Sequence, residues 1–204
     1  MPTVPTAYTT RAAEYIALLG SMAAVHPSDR ALVDAWAAKL HGPVVDAGCG
    51  PGHWTAHLAA RRLDVQGVDL TPAFIEHARI TAPGIQFSVN SIEHLDAPDG
   101  SLGGILSWFS AIHHQPDRIA VPLAEFARAL RAGGLLLLGF FDGNAVEPFD
   151  HAVVRAYRWP ASEMRRQLEA VGFEIVSTHR RSEPGRRPVA AIIARRRNPG
   201  ATPS

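Results

Sequence analysis

The sequence is poor in cysteine, in lysine and in long hydrophobic runs. Cys49 is the only cysteine among 204 residues, so an internal disulfide is excluded and we expect a reducing compartment, the cytoplasm. The longest apolar run, residues 135–141, is far shorter than the ~20 residues needed to cross a bilayer, so no membrane association is expected. The first residues lack a basic start followed by an apolar stretch, so no secretory signal is expected either.

The charge of the chain is balanced in sum but uneven along its length. The formal net charge is +1, yet residues 151–204 contain eleven arginines and four glutamates, which leaves about −6 for the residues before them. A basic segment can attract nucleic acid. Nearly all of the basic residues of the chain are arginine and not lysine, however. We therefore interpret these arginines as a solvated edge and do not expect nucleic acid as a partner.

The proportions of residue types are those of a globular protein. Hydrophobic residues make up 47% and charged residues 19% of a chain whose length suits one domain. Apolar spacing and turn residues predict helices at 8–19, 29–40, 53–61, 72–80, 120–130 and 160–171. Short apolar runs predict seven strands at 44–46, 65–68, 85–89, 105–109, 135–141, 173–178 and 189–194.

The order of these elements predicts an α/β fold. Strands that alternate with helices form right-handed crossovers, and thus a mostly parallel sheet with helices on both faces. The last two strands are joined too closely for a helical crossover, so they form a C-terminal antiparallel hairpin. We expect a single domain, in which residues 1–42 form a helical cap, 43–197 the core and 198–204 a loose tail.

A glycine-rich turn follows the first predicted strand. Gly48, Gly50 and Gly52 stand between a strand and a helix, where backbone N–H groups can bind a ligand. The dinucleotide fingerprint G-x-G-x-x-G is not met, because its third glycine would fall at His53. Asp46 precedes the loop, where a carboxylate opposes a pyrophosphate but favours a ligand that carries an ammonium group.

This segment resembles the first motif of class I S-adenosylmethionine-dependent methyltransferases, D/E-x-G-x-G-x-G, and the similarity extends over nearly the whole chain from Tyr8. The resemblance implies a Rossmann-like fold, S-adenosylmethionine as the cofactor and methyl transfer as the activity. It places the loop, residues Gly48, Cys49, Gly50 and Gly52, against the methionine part of the cofactor. It also places Asp46 near the ammonium group, and Tyr15 in an amphipathic N-terminal lid.

Two further segments match cofactor-binding positions of the family. Asp69 closes the second predicted strand, 21 residues beyond Gly48, where a carboxylate can accept hydrogen bonds from both ribose hydroxyls. By the resemblance Leu70 packs on adenine, and Ser91 and Ile92 bracket it. Ser91 stands where the family has aspartate, and a neutral hydroxyl makes a weaker hydrogen bond than a carboxylate.

The fourth segment, residues 105–114, ends a central strand, where ligands bind in α/β sheets. We count Ser107 among the cofactor-binding residues and expect Trp108 to contact the acceptor, together with residues 151–159. His113 and His114 are the candidate catalytic residues. Strand geometry sends alternate side chains to opposite faces, so we expect His113 to be the base and His114 a packed neighbour.

A metal site is not expected. His53 and His57 are four residues apart, as in zinc-binding helices, but Trp54 replaces the glutamate of that motif and no third ligand is evident.

The predicted function is methyl transfer to a small-molecule acceptor through an oxygen, nitrogen or carbon atom. The absence of a long insertion that could form a substrate domain favours a small acceptor, and we expect a monomer or homodimer. Three alternatives remain: an NAD-type oxidoreductase, a nucleic-acid methyltransferase that uses the arginine-rich third, and a non-catalytic module that binds S-adenosylmethionine. The sequence Asn/Asp-Pro-Pro-Tyr, which accompanies methylation of nucleobase amino groups, does not occur.

Overall fold

The computed structural model describes residues 20–150 and 155–198, together with Glu14 and Ile16. The helix predicted over residues 8–19 and the tail predicted from residue 198 therefore lie almost entirely outside the described residues. Within them, no helix is long and apolar enough to span a bilayer.

A single sheet of nine strands organises the chain. Its strands are β1 (Val44–Ala47), β2 (Val65–Asp69), β3 (Gln86–Val89), β4 (Leu102–Trp108), β5 (Leu130–Asp142), β6 (Glu147–Phe149), β7 (Ala156–Trp159), β8 (Phe173–Arg181) and β9 (Val189–Arg196). The helices are α1 (Pro27–Ala37), α2 (His53–Ala59), α3 (Pro72–Thr81), α4 (Ala120–Ala129) and α5 (Ala161–Ala170). The seven predicted strands and the five predicted helices after residue 26 are thereby confirmed, with small shifts of their ends.

The strand order confirms the predicted topology. Strands β3, β2, β1, β4 and β5 lie side by side and all run parallel. Strand β9 pairs antiparallel with β5 along residues 135–141, and β8 pairs antiparallel with β9. This arrangement brings the carboxyl ends of β1, β2, β4 and β5 to one edge of the sheet, which we call the carboxyl edge.

The sheet separates two hydrophobic cores because neighbouring strand residues point to opposite faces. Val45, Leu136 and Leu138 pack with helices α4 and α5 in one core. Their neighbours Val44 and Leu137 pack with α1 and α2 in the other. A strand that is covered on both sides is apolar throughout, which explains the unbroken Leu135–Leu138 run.

Three local features depart from the predictions. Strands β6 and β7 form a short antiparallel ribbon that was not predicted, and β7 extends the carboxyl end of β5 in parallel. Helix α1 begins at Pro27, because proline suits the first helical turn, and the His26 ring rather than Ser28 caps it. Strand β4 ends at Trp108, and a 3-10 turn at Ala111–His113 follows it.

Candidate functional site

A cavity of about 500 Å³ opens at the carboxyl edge, beside the glycine loop. Its size falls in the usual range for small-molecule sites. Its wall contains residues that the sequence analysis predicted for the site and others that it did not predict. The lining residues are Gly48, Gly50, Asp69, Leu70, Thr71, Phe74, Ile92, Glu93, Trp108, Phe109, Ser110, His113, His114, Gln115 and Arg118.

The glycine loop is held against the end of strand β2. The N–H groups of Gly48 and Cys49 both donate to the Val68 carbonyl, at 2.8 and 2.9 Å. Gly48 has φ +81°, and a Cβ there would lie 2.2 Å from Cβ of Ser110. Only glycine fits this position, since both the backbone conformation and the close approach exclude a side chain. The loop thus runs directly beneath the cavity.

Two other predicted loop residues face away from the cavity. Gly52 caps helix α2 with φ +87°, and a Cβ there would lie 2.8 Å from Cβ of Ala78. Cys49 is buried, and burial raises the pKa of its thiol, so it is an inert apolar residue. Both residues shape the loop and neither lines the cavity.

Asp69 connects the loop to the start of helix α3. Its two carboxylate oxygens accept hydrogen bonds from the backbone N–H of Gly50, at 3.0 Å, and of Thr71, at 2.8 Å. Burial raises the pKa of this carboxyl, and the two N–H groups oppose that shift. Each oxygen keeps a further lone pair for a ligand. Leu70 is 43% exposed at the same wall and offers an apolar surface beside the carboxylate.

Asp46 lies beneath the loop and does not line the cavity. Its Oδ2 accepts a hydrogen bond of 2.7 Å from the Thr55 hydroxyl of α2, and the residue is 1% exposed. Burial raises the pKa of the Asp46 carboxyl to about 7, against the lowering effect of Thr55. The geometry therefore gives Asp46 a contact inside the strand–loop–helix unit, and the expected contact with an ammonium group would have to be indirect.

The loop after β3 brings Ile92 and Glu93 to the cavity, and not Ser91. Ile92 lines the cavity, whereas Ser91 turns back, and its hydroxyl accepts a hydrogen bond of 3.1 Å from the Glu93 N–H. Glu93 lines the cavity instead. Its carboxylate lies 3.2 Å from Nε2 of His114 and 3.3 Å from a guanidinium nitrogen of Arg118.

Aromatic side chains close the cavity at the end of β4. Phe109 has φ +57°, a strained conformation for a residue other than glycine, and such strain is concentrated at functional sites. Its ring packs edge-on against Trp108, at 5.5 Å between centroids. Ser107 is fully buried, and its hydroxyl lies 2.8 Å from that of Ser110. Ser110 rather than Ser107 lines the cavity.

Both candidate histidines line the cavity, which the strand argument did not predict. That argument depended on a strand that continues to residue 114. Strand β4 instead ends at Trp108, and the 3-10 turn at Ala111–His113 places the two histidines. The Nδ1 of His113 lies 2.9 Å from the Arg155 carbonyl, so this nitrogen carries the proton and Nε2 carries the lone pair. Burial lowers the pKa of His113, which favours the neutral ring. His114 is held through both of its nitrogens, by the Ala111 carbonyl and by Glu93.

The sequence analysis missed seven residues of the wall. Their signal is weak, because each belongs to a loop or a helix start whose orientation depends on the fold. Arg118 and Glu93 could have been paired only by knowing that their loops meet. The missed residues are Thr71, Phe74, Glu93, Phe109, Ser110, Gln115 and Arg118.

The described residues contain no cluster of three or more side chains able to hold a metal ion. His57 instead lies 2.8 Å from the Asp34 carboxylate. Burial lowers the pKa of His53 to about 4, so its ring is neutral near pH 7. Tyr15 and residues 151–154, which were expected at the cofactor or the acceptor, lie outside the described residues.

Residues 44–134 match a protein-family model described as a methyltransferase domain. The match starts at β1 and contains the glycine loop, Asp69, Ile92 and the two histidines. The chain thus contains a segment that is similar to a methyltransferase domain. The match supports the predicted family, and the strand order confirms the predicted fold class.

Curated relatives resemble the domain but are longer proteins. The chain is 28% identical over 138 residues to a probable S-adenosylmethionine-dependent methyltransferase of Mycolicibacterium smegmatis, with 66% of this chain and 53% of the relative covered. It is 35% identical over 118 residues to trans-aconitate 2-methyltransferase of Methylobacterium nodulans, with 55% and 42% covered. The chain thus spans about half, or less, of the length of these relatives.

A solved structure matches nearly the whole fold. The cyclase SpnF superposes with a TM-score of 0.78 and 18% identity, and the match covers 96% of this chain and 97% of that protein. At this identity the likeness supports the fold alone.

Proposed function

We propose that this domain binds S-adenosylmethionine in the 500 Å³ cavity and transfers its methyl group to a small-molecule acceptor. The observation that carries the proposal is the pairing of a glycine loop with Asp69. The Asp69 carboxylate fixes the loop through the Gly50 N–H and still presents lone pairs to the cavity. A relative of the domain is named as S-adenosylmethionine-dependent, which supports the same cofactor.

The cavity wall fits the separate parts of this cofactor. Asp69 would accept the ribose hydroxyls, and the apolar surfaces of Leu70 and Ile92 would enclose the adenine. Gly48 and Gly50 have no side chain, so the methionine part can approach the backbone. The dinucleotide fingerprint needs a third glycine where this loop has His53, which argues against NAD.

The chain itself has to position the acceptor and exclude water. When bound, the cofactor supplies an activated methyl group on a sulfonium. Trp108 and Phe109 form a rigid apolar wall at the end of β4, where an acceptor can be aligned with that group. Alignment of this kind can contribute ~7–11 kcal/mol to the rate enhancement.

His113 is the proposed base for an acceptor whose oxygen or nitrogen is protonated. Its Nδ1–H donates to the Arg155 carbonyl, and burial keeps the ring neutral, so Nε2 can accept a proton. The second histidine, His114, is held by Glu93 and positions the turn. An acceptor that is already deprotonated at the working pH would need no base, and the two cases differ in the effect of replacing His113.

Several arginines of the arginine-rich third have their charge compensated by a carboxylate. Arg195 pairs with Glu174, Arg181 with Asp29 and Arg166 with Glu163, as surface arginines in a folded domain commonly do. These contacts support a small-molecule acceptor over nucleic acid. We further propose that the protein acts as a monomer or homodimer in a reducing compartment, the cytoplasm, since its one cysteine is buried and free.

Catalysis of a different reaction is the second candidate. A cyclase shares this fold over nearly its whole length, so the fold alone does not decide between methyl transfer and another reaction of a bound substrate. Formation of S-adenosylhomocysteine separates the two candidates, because only methyl transfer consumes the cofactor.

The proposal is tested by incubating the protein with S-adenosylmethionine labelled in its methyl group and a fractionated metabolite extract. We expect label to move into a small product, with one S-adenosylhomocysteine formed per product molecule. The Asp69→Ala variant is the control and should transfer label far more slowly. Tight cofactor binding without any transfer, over all fractions, would favour the cyclase or the non-catalytic module.

A further inference from the structure

Two aromatic side chains separate the cavity beside the glycine loop from a smaller one. The smaller cavity has a volume of about 240 Å³ and lies on the face of the sheet that α1 covers, against Leu32 of that helix and Val189 and Ala191 of β9. Trp108 and Phe109 line both cavities. Their rings meet edge-on, at 5.5 Å between centroids. We call this pair the aromatic wall, because it closes the passage between the two cavities.

The strand order divides the larger cavity into a cofactor part and an acceptor part. The residues proposed for the cofactor, such as Gly48, Asp69 and Ile92, lie at or after the ends of β1, β2 and β3. Strand β4 lies on the other side of β1 from β2. The end of β4, with Phe109 and His113, is therefore the part of the cavity that is left for the acceptor. The smaller cavity follows beyond it, toward β9 and β8.

We propose that Phe109 determines the size of the acceptor, because its ring closes the smaller cavity to a molecule bound at the end of β4. The inference rests on the proposed function and deepens it, since it names the residue that selects among acceptors of the same site. A compact acceptor with an apolar end fits against the ring. A longer acceptor meets the ring before its reactive atom reaches His113.

The backbone at Phe109 is bent in a way that completes the aromatic wall. Neighbouring residues of a strand point to opposite faces, so a continued strand would turn the Phe109 ring away from that of Trp108. Strand β4 instead ends at Trp108, and Phe109 has φ +57°, a left-handed conformation that is unfavourable for a bulky residue. Its N–H donates to the Gly139 carbonyl at 3.0 Å, which holds this conformation. The chain thus has a large ring at a position that glycine would occupy with less strain.

The other half of the aromatic wall is fixed by packing. Trp108 is opposite Gly139 in the register of β4 and β5, and a Cβ on Gly139 would lie 2.9 Å from Cε3 of the Trp108 ring. The same ring packs edge-on with Trp54 of α2, at 5.9 Å between centroids. Trp108 therefore belongs to the core, whereas Phe109 lies outside the strand. Removal of the Phe109 ring should open the wall and leave the sheet in place.

The charges around the smaller cavity are compensated. Arg181 pairs with Asp29 at 2.8 Å and with Glu183 at 3.1 Å. The guanidinium of Arg180 bonds Asp142 instead, at 2.7 Å. The leucine, valine and alanine side chains named above supply apolar surface. Once the Phe109 ring is removed, the smaller cavity can therefore take an uncharged, apolar group.

The test measures binding of two fluorinated probes by fluorine NMR, in the presence of saturating S-adenosylhomocysteine. The probes are 4-fluorophenol, with one ring, and 4'-fluoro-4-hydroxybiphenyl, with two. We expect the wild-type protein to bind the two-ring probe at least tenfold more weakly than the one-ring probe. Phe109→Gly removes the ring and suits the left-handed backbone, so it should bind the two-ring probe at least tenfold more tightly than the wild type does. Equal affinity of both proteins for the two-ring probe would overturn the proposal.

Two further variants locate the second ring. Phe109→Tyr keeps the ring and is the matched control, so it should bind the two-ring probe as weakly as the wild type does. Val189→Phe fills the smaller cavity from its far side, so the double variant Phe109→Gly/Val189→Phe should lose the gain. A gain in Phe109→Tyr as large as that in Phe109→Gly, or a gain that persists in the double variant, would refute the role of the aromatic wall.

The proposed function and the aromatic wall are tested separately. Calorimetry measures binding of S-adenosylhomocysteine to the wild-type protein, and crystals of Phe109→Gly soaked with the two-ring probe alone locate its second ring. A second ring in the smaller cavity, without any binding of S-adenosylhomocysteine, would refute the proposed function and support the wall. Binding of S-adenosylhomocysteine with the second ring placed elsewhere would refute only the assignment of Phe109.

Discussion

Replacement of Asp69 perturbs the cofactor site at the residue that connects its parts. In the Asp69→Ala variant the Gly50 and Thr71 N–H groups lose their acceptor, and the proposed ribose hydroxyls lose theirs. A hydrogen bond to a charged group contributes about 1.5–3 kcal/mol. Because water replaces part of these hydrogen bonds, we expect the variant to lose about 3 kcal/mol of binding free energy, which raises the dissociation constant about a hundredfold.

The fold should tolerate the change. Burial raises the pKa of the Asp69 carboxyl, which means that the folded protein disfavours its ionised form. Removal of the carboxylate should therefore cost the fold little. The two exposed N–H groups face the cavity, where water can reach them. Asp69→Asn is the matched variant. It keeps the shape but one oxygen becomes an NH₂ that faces a backbone N–H, so we expect an intermediate loss of about tenfold.

The assay is calorimetry with S-adenosylhomocysteine, together with thermal unfolding of each variant. The reasoning requires a melting temperature close to that of the wild type and the order wild type, Asn, Ala in affinity. An Asp69→Ala protein that melts normally and binds the cofactor product as tightly as the parent would refute the assignment of the ribose site.

The remaining predictions concern the strand–loop unit and the histidines. The folded-state pKa of Asp46, about 7, lies above its ordinary 3.8, so the free energy of unfolding should fall as pH rises from about 4 to about 7. Asp46→Asn should remove about 3 kcal/mol of that fall between pH 5 and pH 8, as measured by urea unfolding, and identical pH dependence in both proteins would contradict it. Gly48→Ala forces a Cβ to 2.2 Å from Ser110, so we expect loss of cofactor binding and a lower melting temperature, whereas normal values of both would contradict the loop geometry. With a protonated acceptor, His113→Ala should slow turnover about 10²- to 10⁴-fold at unchanged cofactor affinity, and His114→Ala should have a smaller effect. Burial lowers the pKa of His113, so the acid limb of the wild-type turnover profile should lie below pH 6.5, the ordinary value for histidine. Equal, few-fold losses in both histidine variants would show that no histidine acts as a base.

The fold could be read from the sequence because its signals are local and repeated. Short apolar runs, such as Leu135–Leu138, alternate with helical patterns along the chain. The glycines after Val44–Ala47 mark the turn between the first strand and the next helix. A buried parallel strand is apolar on both faces, so a short unbroken apolar run between turn residues indicates it. The ribbon of β6 and β7 escaped prediction, since strands of three and four residues with Pro148 inside carry almost no such signal.

The site was predicted only where a residue's role follows from its position in the strand–turn–helix unit. Gly48, Gly50, Asp69 and Leu70 lie at or just beyond the ends of strands β1 and β2, and all four line the cavity. The role of Ser91 could not be read in this way, because a side chain in a loop turns according to its own hydrogen bonds.

The contribution of the hairpin to the carboxyl edge was also beyond the sequence. Arg180 and Asp142 are 38 positions apart, and only the pairing of β5 with β9 and of β9 with β8 brings them together. The histidines show the same limit, since their placement depends on where β4 ends. Loop conformation and the pairing of strands that are distant in sequence therefore decide the placement of these side chains, which sequence patterns do not predict.

The central claim is that the carboxyl-edge cavity selects a sulfonium nucleoside over a dinucleotide. Equilibrium calorimetry of the wild-type protein with S-adenosylmethionine, S-adenosylhomocysteine and NAD tests it most directly. Because Asp46 precedes the loop and His53 replaces the third glycine of the dinucleotide fingerprint, we predict micromolar binding of the two sulfur compounds and no measurable heat with NAD. Micromolar binding of NAD, without a response to either sulfur compound, would contradict the account.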